Sequence, residues 1–214
     1  EGVFGERLLF ELVDLGLQPG DHACVVIGRV PAWYTTLIGC MKAGVVSMPG
    51  TNLLTAKDIA YRINRAGARA VIVTPEHCPK IDSIRDQCPT LEVLIVVGDA
   101  PPGWHSLDAL CAAASPTIAA DKRINTRADD PMMAYFTSGT TSLPKMVPRN
   151  HGYAFAQVVT GLFWIDNRPG EVHWTLTDTG WAKAAWGMLF AQLTLRSPIL
   201  LHNASGAFDA DLHL

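Results

Sequence analysis

The chain has 214 residues, of which 49% are hydrophobic and 17% charged, and its net charge is -3 at pH 7. That composition supplies a sizeable packed core and excludes a disordered chain, while the length fits one large domain or two small ones. Lys and Arg are scattered without a run of like charge, which excludes an electrostatic footprint for nucleic acid or an anionic membrane.

Leu8, Leu9, Leu12, Val13 and Leu15 follow helical spacing, so Arg7–Leu15 is expected to be a helix, stopped by Gly16 and Pro19-Gly20. The apolar run Ala23–Ile27 reads as a buried strand. Pro31 suits a first helical turn, and the helix over Trp33–Lys42 closes at Gly44. Val45–Met48 is a second short strand. Thr55 with Asp58 three residues on forms a capping-box variant for a helix running to Ala66. Val71–Thr74 and Leu91–Val97 are expected strands, with a largely helical stretch, Glu76–Cys88, between them. Ser106 caps a helix to Ala114.

The polar stretch Pro116–Asp130 reads as a connection between two lobes. Beyond it, Met132–Thr137 and Met146–Arg149 are expected to form a hairpin, followed by a helix over His151–Trp164. A strand over Val172–Leu176, a helix over Thr179–Leu195 and a strand over Ile199–His202 complete the pattern. Strands alternating with helices, the strands being continuous apolar runs, argue for an α/β fold with a mainly parallel sheet flanked by helices.

No apolar stretch spans a membrane without interruption: Lys183, Gln192 and Arg196 break the most apolar region. Five cysteines, Cys24, Cys40, Cys78, Cys88 and Cys111, lack CxxC or Cys/His metal spacing and read as reduced structural thiols. His151, His173 and His202 lack a metal-ligand spacing as well. The chain starts at Glu1 and stops soon after Phe208-Asp209 opens a further element, so both ends are expected to be cut.

The segment between the hairpin strands carries the chemistry. Thr137, Ser138, Gly139, Thr140, Thr141, Ser142, Leu143, Pro144 and Lys145 combine five hydroxyls, a glycine and a terminal lysine. Gly139 permits backbone N–H groups to converge on an anion; the hydroxyls donate to phosphate oxygens or serve Mg²⁺; Lys145 adds a compact positive charge. By composition alone a flexible Ser/Thr/Gly turn fits equally. A Walker A loop fits poorly, because Pro144 and Met146 flank the lysine.

The order Tyr-Phe-Thr-Ser-Gly-Thr-Thr-Ser-Leu-Pro-Lys, ending at Lys145, closely resembles the phosphate-binding signature of the adenylate-forming (AMP-binding) superfamily. Many relatives carry a second glycine where this chain has Ser142. Asp178-Thr179-Gly180-Trp181 resembles that family's acyl-pocket motif, and the Asp-Thr-Gly-Trp type resembles medium-chain acyl-CoA synthetases and their bacterial relatives. Pro31–Trp33, Gly39–Gly44, Met48-Pro49-Gly50-Thr51 and Phe208-Asp209 agree with that branch. By residue type alone Trp181 equally reads as a core tryptophan near a helix start, and Asp178 or Thr179 as the helix N-cap.

The resemblance implies residues 1–214 as part of the N-terminal AMP-binding domain, with the remaining core and the C-terminal mobile domain absent. It implies ATP, Mg²⁺ and coenzyme A as cofactors and a small-molecule carboxylic acid, medium-chain fatty or aromatic, as substrate. Lys145 and Thr140 become the candidate catalytic residues, Thr137–Lys145 the nucleotide-contacting loop, Thr140 the candidate Mg²⁺ ligand, and Asp178–Trp181 the acid pocket. The coenzyme A contact that the branch makes after its Pro-Gly-Thr turn has no counterpart at Asn52, Leu53 or Leu54.

Relatives of the branch include bacterial cytoplasmic and mitochondrial enzymes, so the implied compartment is cytoplasm, or mitochondrial matrix in a eukaryote. Motifs for adenine and ribose are absent before Leu214, so these residues alone are expected to be inactive. Exposed apolar surface on such a part would favour self-association. An acyl-AMP ligase feeding a carrier protein and a non-catalytic binding module are the alternatives.

Overall fold

The computed structural model describes residue 8 and residues 11–114, 124–137 and 143–203. Of the expected features, the loop interior Ser138–Ser142, most of the connection at 115–123 and Phe208-Asp209 lie outside them.

A seven-stranded sheet organises the chain. The strands are β1 (His22–Val26), β2 (Val46–Pro49), β3 (Ala70–Val73), β4 (Val93–Val96), β5 (His105–Ser106), β6 (Pro131–Thr137) and β7 (Lys145–Asn150), in the spatial order β5-β4-β3-β1-β2-β6-β7. All neighbours are parallel except β6 and β7, which form the expected antiparallel hairpin. Strands from both sides of the 115–130 connection therefore share one sheet, joined where Ser47 of β2 pairs with Met133 of β6.

Alternation along the strands divides the core into two layers. Ala23, Val25, Ala70, Ile72, Val93 and Ile95 face one side, where helix α1 (Pro31–Lys42) contributes Trp33 and Leu37. Cys24, Val26, Val71, Val73, Leu94 and Val96 face the other, where α2 (Ala56–Ala66) contributes Ile59 and Ile63, and α3 (Cys78–Asp82) contributes Ile81. Both faces are covered, so each strand reads as a continuous apolar run rather than an alternating one. Helix α2 starts as the sequence expects: the Thr55 hydroxyl accepts from the Asp58 N–H and the Asp58 carboxylate accepts from the Thr55 N–H. Helix α4 (Leu107–Ala113) is capped by Ser106.

After the hairpin, α5 (His151–Thr160) runs into a π-helical turn at Gly161–Ile165, ended by Asp166 in the left-handed region. A second helical rod joins α6 (Ala182–Ala184), a π-helical segment Ala185–Phe190 and α7 (Ala191–Leu195). It buries Ala185, Met188 and Leu189 in the same layer as α1.

Three expectations need correction. Val172–Leu176 and Ile199–His202 are not strands; a parallel bridge between His173 and Ile199 and a contact between the Trp174 and His202 rings link them. Among the described residues neither segment pairs with a strand of the sheet, so neither has a ladder to join. The helix expected from Thr179 begins at Ala182, because Asp178–Gly180 is held as a turn by contacts to the sheet. The largely helical stretch Glu76–Cys88 is three short pieces: 3₁₀ turns at Pro75–His77 and Arg85–Gln87 with α3 between them.

The five cysteines are all buried and in no disulfide. Burial pushes the Cys24 and Cys40 thiols up to about 12, so both are neutral at pH 7. Among the described residues no helix is long and apolar enough to cross a membrane.

Candidate active site

The chain leaves β1 to form β2 on one side of it and then β3 on the other. Such a reversal opens a crevice outside the carboxyl ends of the strands, where open α/β sheets bind ligands. The end of the first motif at Thr137, and the second motif, sit on that edge. The loop follows the carboxyl end of β6, and Asp178–Gly180 lies across the ends of β1 and β2.

Four contacts fix the second motif. The Thr179 hydroxyl, fully inside the protein, donates to the Ile27 carbonyl at 2.5 Å. The Asp178 carboxylate accepts from the Gly180 N–H at 2.8 Å, and the Asp178 carbonyl accepts from the Trp181 N–H at 3.2 Å. Gly180 lies so close to the Gly50–Thr51 peptide that a Cβ would stand 2.0 Å from the Thr51 nitrogen and 2.1 Å from the Gly50 carbonyl carbon. Glycine is obligatory there because backbone meets backbone.

The helix N-cap is Trp181 itself, without a side-chain cap bond, so Asp178 and Thr179 do not cap it. Trp181 is 62% exposed, which sets aside the core reading. Asp178 and Thr179 line a polar cleft of about 130 Å³ with Gly28, Arg29, Asn52 and Asn203. Asn52 also reaches His77, its Oδ1 lying 3.2 Å from Nε2 of the imidazole. His77 is buried; its burial, with Lys80 nearby, holds its pKa below the ordinary value, against the opposing pull of Glu76 and Asp178.

The hairpin presents the ends of the loop. Thr137 closes β6 and pairs with Lys145, which opens β7; both side chains are exposed at its mouth. A hydroxyl and an ammonium are thus side by side at a point open to a ligand, a pairing suited to phosphate oxygens. Leu143 is exposed and Pro144 half-buried. Ser138, Gly139, Thr140, Thr141 and Ser142 lie outside the described residues, as does any Mg²⁺ contact made by Thr140. Among the described residues no group of three or more His, Cys, Asp or Glu side chains forms a metal site.

Helix α2 braces this hairpin, a feature absent from the sequence reading. The Tyr61 hydroxyl donates to the Pro144 carbonyl at 2.9 Å, the Tyr61 ring meets Phe136 edge-on at 6.2 Å, and the Arg62 guanidinium lies 5.2 Å from the Phe136 ring centre. Tyr61 is separated from Pro144 by 83 positions, and no local signal marks it. The cleft residues Gly28 and Asn52, and His77 beside Asn52, were missed for the same reason.

Comparison with known proteins agrees with the fold. The family model described as "AMP-binding enzyme" matches residues 11–212. The mouse (Mus musculus) protein named "Acyl-coenzyme A synthetase ACSM5, mitochondrial" is 40% identical over 178 residues, covering 82% of this chain and 30% of its own length. Among solved structures, the anthranilate CoA ligase AuaEII in complex with anthranoyl-AMP superimposes with a TM-score of 0.88 at 23% identity, over 95% of this chain and 39% of that one. The N-terminal domain of FACL13 from Mycobacterium tuberculosis gives a TM-score of 0.82 at 21% identity, over 98% of this chain and 50% of that one. The chain spans 30 to 34% of the length of the curated relatives it matches. With a doubly wound sheet of this order and a family match running over residues 11–212, the chain belongs to the family of AMP-binding enzymes.

Proposed function

We propose that the full-length gene product carrying this chain is an ATP-dependent acid–CoA ligase, converting a carboxylate to an acyl-adenylate and then to an acyl-CoA thioester. The observation that carries this reading is the Thr137–Lys145 pair at the open mouth of the hairpin. The named relatives, acyl-coenzyme A synthetases at up to 40% identity, support it. A medium-chain fatty or aromatic acid is the proposed substrate, the Asp178–Trp181 segment its proposed contact, and coenzyme A the proposed thiol acceptor.

In the first half-reaction the acid's carboxylate oxygen attacks the α-phosphorus of ATP, and pyrophosphate leaves. The carboxylate is already a nucleophile, so no general base is required. Negative charge builds on the departing pyrophosphate. Lys145 and the Thr137 hydroxyl offer donors where that charge develops, which lowers the barrier more than it stabilises the ground state. Thr140 is the residue proposed to hold Mg²⁺, which when bound would supply further neutralisation of the phosphate charge. Holding the two reactants in line contributes through proximity. In the second half-reaction the thiolate of coenzyme A attacks the acyl carbonyl carbon and AMP leaves.

The mitochondrial naming of the relatives supports the mitochondrial matrix in a eukaryote, and the cytoplasm otherwise. Phe155, Phe163 and Trp164 are exposed on one helical stretch, which favours self-association of the isolated chain.

The test is acid-dependent ATP–pyrophosphate exchange by the full-length product over a panel of straight-chain and aromatic acids, followed by thioester formation with coenzyme A. Exchange with at least one acid, and thioester formation on adding coenzyme A, are expected. Exchange that is independent of acid, or none with any acid, would overturn the reading.

A further inference from the structure

The carbonyl of Pro144 sits one residue before β7 begins, just past the last ladder pair, Thr137 with Lys145. Proline has no N–H, so this carbonyl is its one backbone hydrogen-bonding group, and among the described residues the sheet supplies it with no partner. Tyr61 does, from a different element. The bond fixes the plane of the Pro144–Lys145 peptide, and with it the direction in which the Lys145 backbone enters the strand.

The other side of the hairpin is held by the same helical turn. Phe136, cross-strand partner of Met146, has the Tyr61 ring against its edge and the Arg62 guanidinium over its face. Arg62 is in turn fixed by donating to the Asp58 carbonyl within α2 at 3.0 Å, and α2 is anchored by its capping box. Both strands of the hairpin mouth thus rest on one face of a capped helix.

We propose that Tyr61 is a positioning residue for nucleotide binding: its hydroxyl, through the Pro144 carbonyl, sets Lys145 in the geometry that meets the phosphates of ATP. This rests on the phosphate role proposed for Lys145. Tyr61 touches no reacting atom, so its effect passes through Lys145 and is confined to the nucleotide. The ring, which packs on Phe136, serves the fold; the oxygen serves the site. Tyr61→Phe separates the two, since it keeps the packing and removes the bond.

The experiment is a double-mutant cycle in the full-length gene product, with wild type, Tyr61→Phe, Lys145→Ala and the double variant compared by ATP–pyrophosphate exchange and by Tm. Loss of one neutral hydrogen bond predicts a rise in KM for ATP of about three- to tenfold in Tyr61→Phe, with KM for the acid changed by less than about twofold. In the Lys145→Ala background the same substitution is expected to add almost nothing. An unchanged KM for ATP in Tyr61→Phe, equal effects on ATP and acid, or full additivity with Lys145→Ala would each overturn the positioning role while leaving the phosphate role of Lys145 intact. If Lys145→Ala itself leaves both KM and kcat/KM for ATP unchanged, the phosphate role fails and the positioning role fails with it.

Discussion

The buried hydroxyl of Thr179 donates to the carbonyl oxygen of Ile27, across 152 positions of sequence. Ile27 follows directly on β1, the strand on which the sheet reverses direction, and its carbonyl has left the ladder. The bond therefore does two things at once. It satisfies a buried acceptor at the carboxyl edge, and it docks the Asp178–Trp181 segment beside the crevice. Thr179→Val keeps the shape but leaves that carbonyl without its partner, at a cost of about 1–3 kcal/mol. Thermal unfolding should show a Tm lower by several degrees, whereas Thr179→Ser should recover most of the loss. Equal stability of Thr179→Val and wild type would show that the bond contributes nothing.

Gly180→Ala tests the same docking from the backbone side. The added methyl would overlap the Gly50–Thr51 peptide, and neither backbone has a flexible side chain to yield. The segment must lift from the sheet, so the expected cost is at least about 3 kcal/mol, above that of Thr179→Val. The peptide bonds around Asp178 should also become sensitive to limited proteolysis. A Gly180→Ala protein with wild-type Tm and protease resistance would contradict the close approach.

Much of this arrangement was legible in the residues. Continuous apolar runs marked β1 to β4 because both sheet faces are buried. Local chemistry marked the helix starts at Pro31, where proline occupies the first turn, and at Thr55 and Ser106, whose hydroxyls each cap an N–H three residues on. The hairpin could be read from the apolar strands on each side of a Ser/Thr/Gly segment. What failed was long-range. Val172–Leu176 has strand composition, yet among the described residues His173 finds only Ile199 to bridge, and pairing partners are invisible to a local pattern. Thr179 was expected in a helix because the apolar spacing from Trp181 onward is helical; the Ile27 carbonyl and the Gly50–Thr51 peptide override that preference. Tyr61 looked like an ordinary amphipathic-helix residue, and only the fold brings it to Pro144.

Stability should also depend on pH through the buried His77 and the half-buried His22 and His151. His77 is buried with no hydrogen bond to Nδ1 among the described residues, and burial is the main cause of the lowered pKa values of His77, His22 and His151. The unfolded chain takes up these protons near the ordinary value of 6.5, while the folded chain does so only at lower pH. Stability is therefore full above that value and falls as the pH drops below it, by up to about 1.4 kcal/mol per pH unit for each such group. His77→Gln removes one of them, so its Tm should fall less steeply than wild type between about pH 7 and pH 5.5. A slope equal to or steeper than that of wild type would contradict a neutral, buried His77.

The most direct measurement is the response of the full-length gene product to Lys145→Ala in acid-dependent ATP–pyrophosphate exchange, with KM determined separately for ATP and for the acid. Removing a charged donor from phosphate oxygens should raise KM for ATP, or lower kcat/KM for it, by about tenfold or more, while the acid's KM changes little. Equal loss for both substrates, or no loss for either, would contradict the assignment of the Thr137–Lys145 hairpin to the phosphates of ATP.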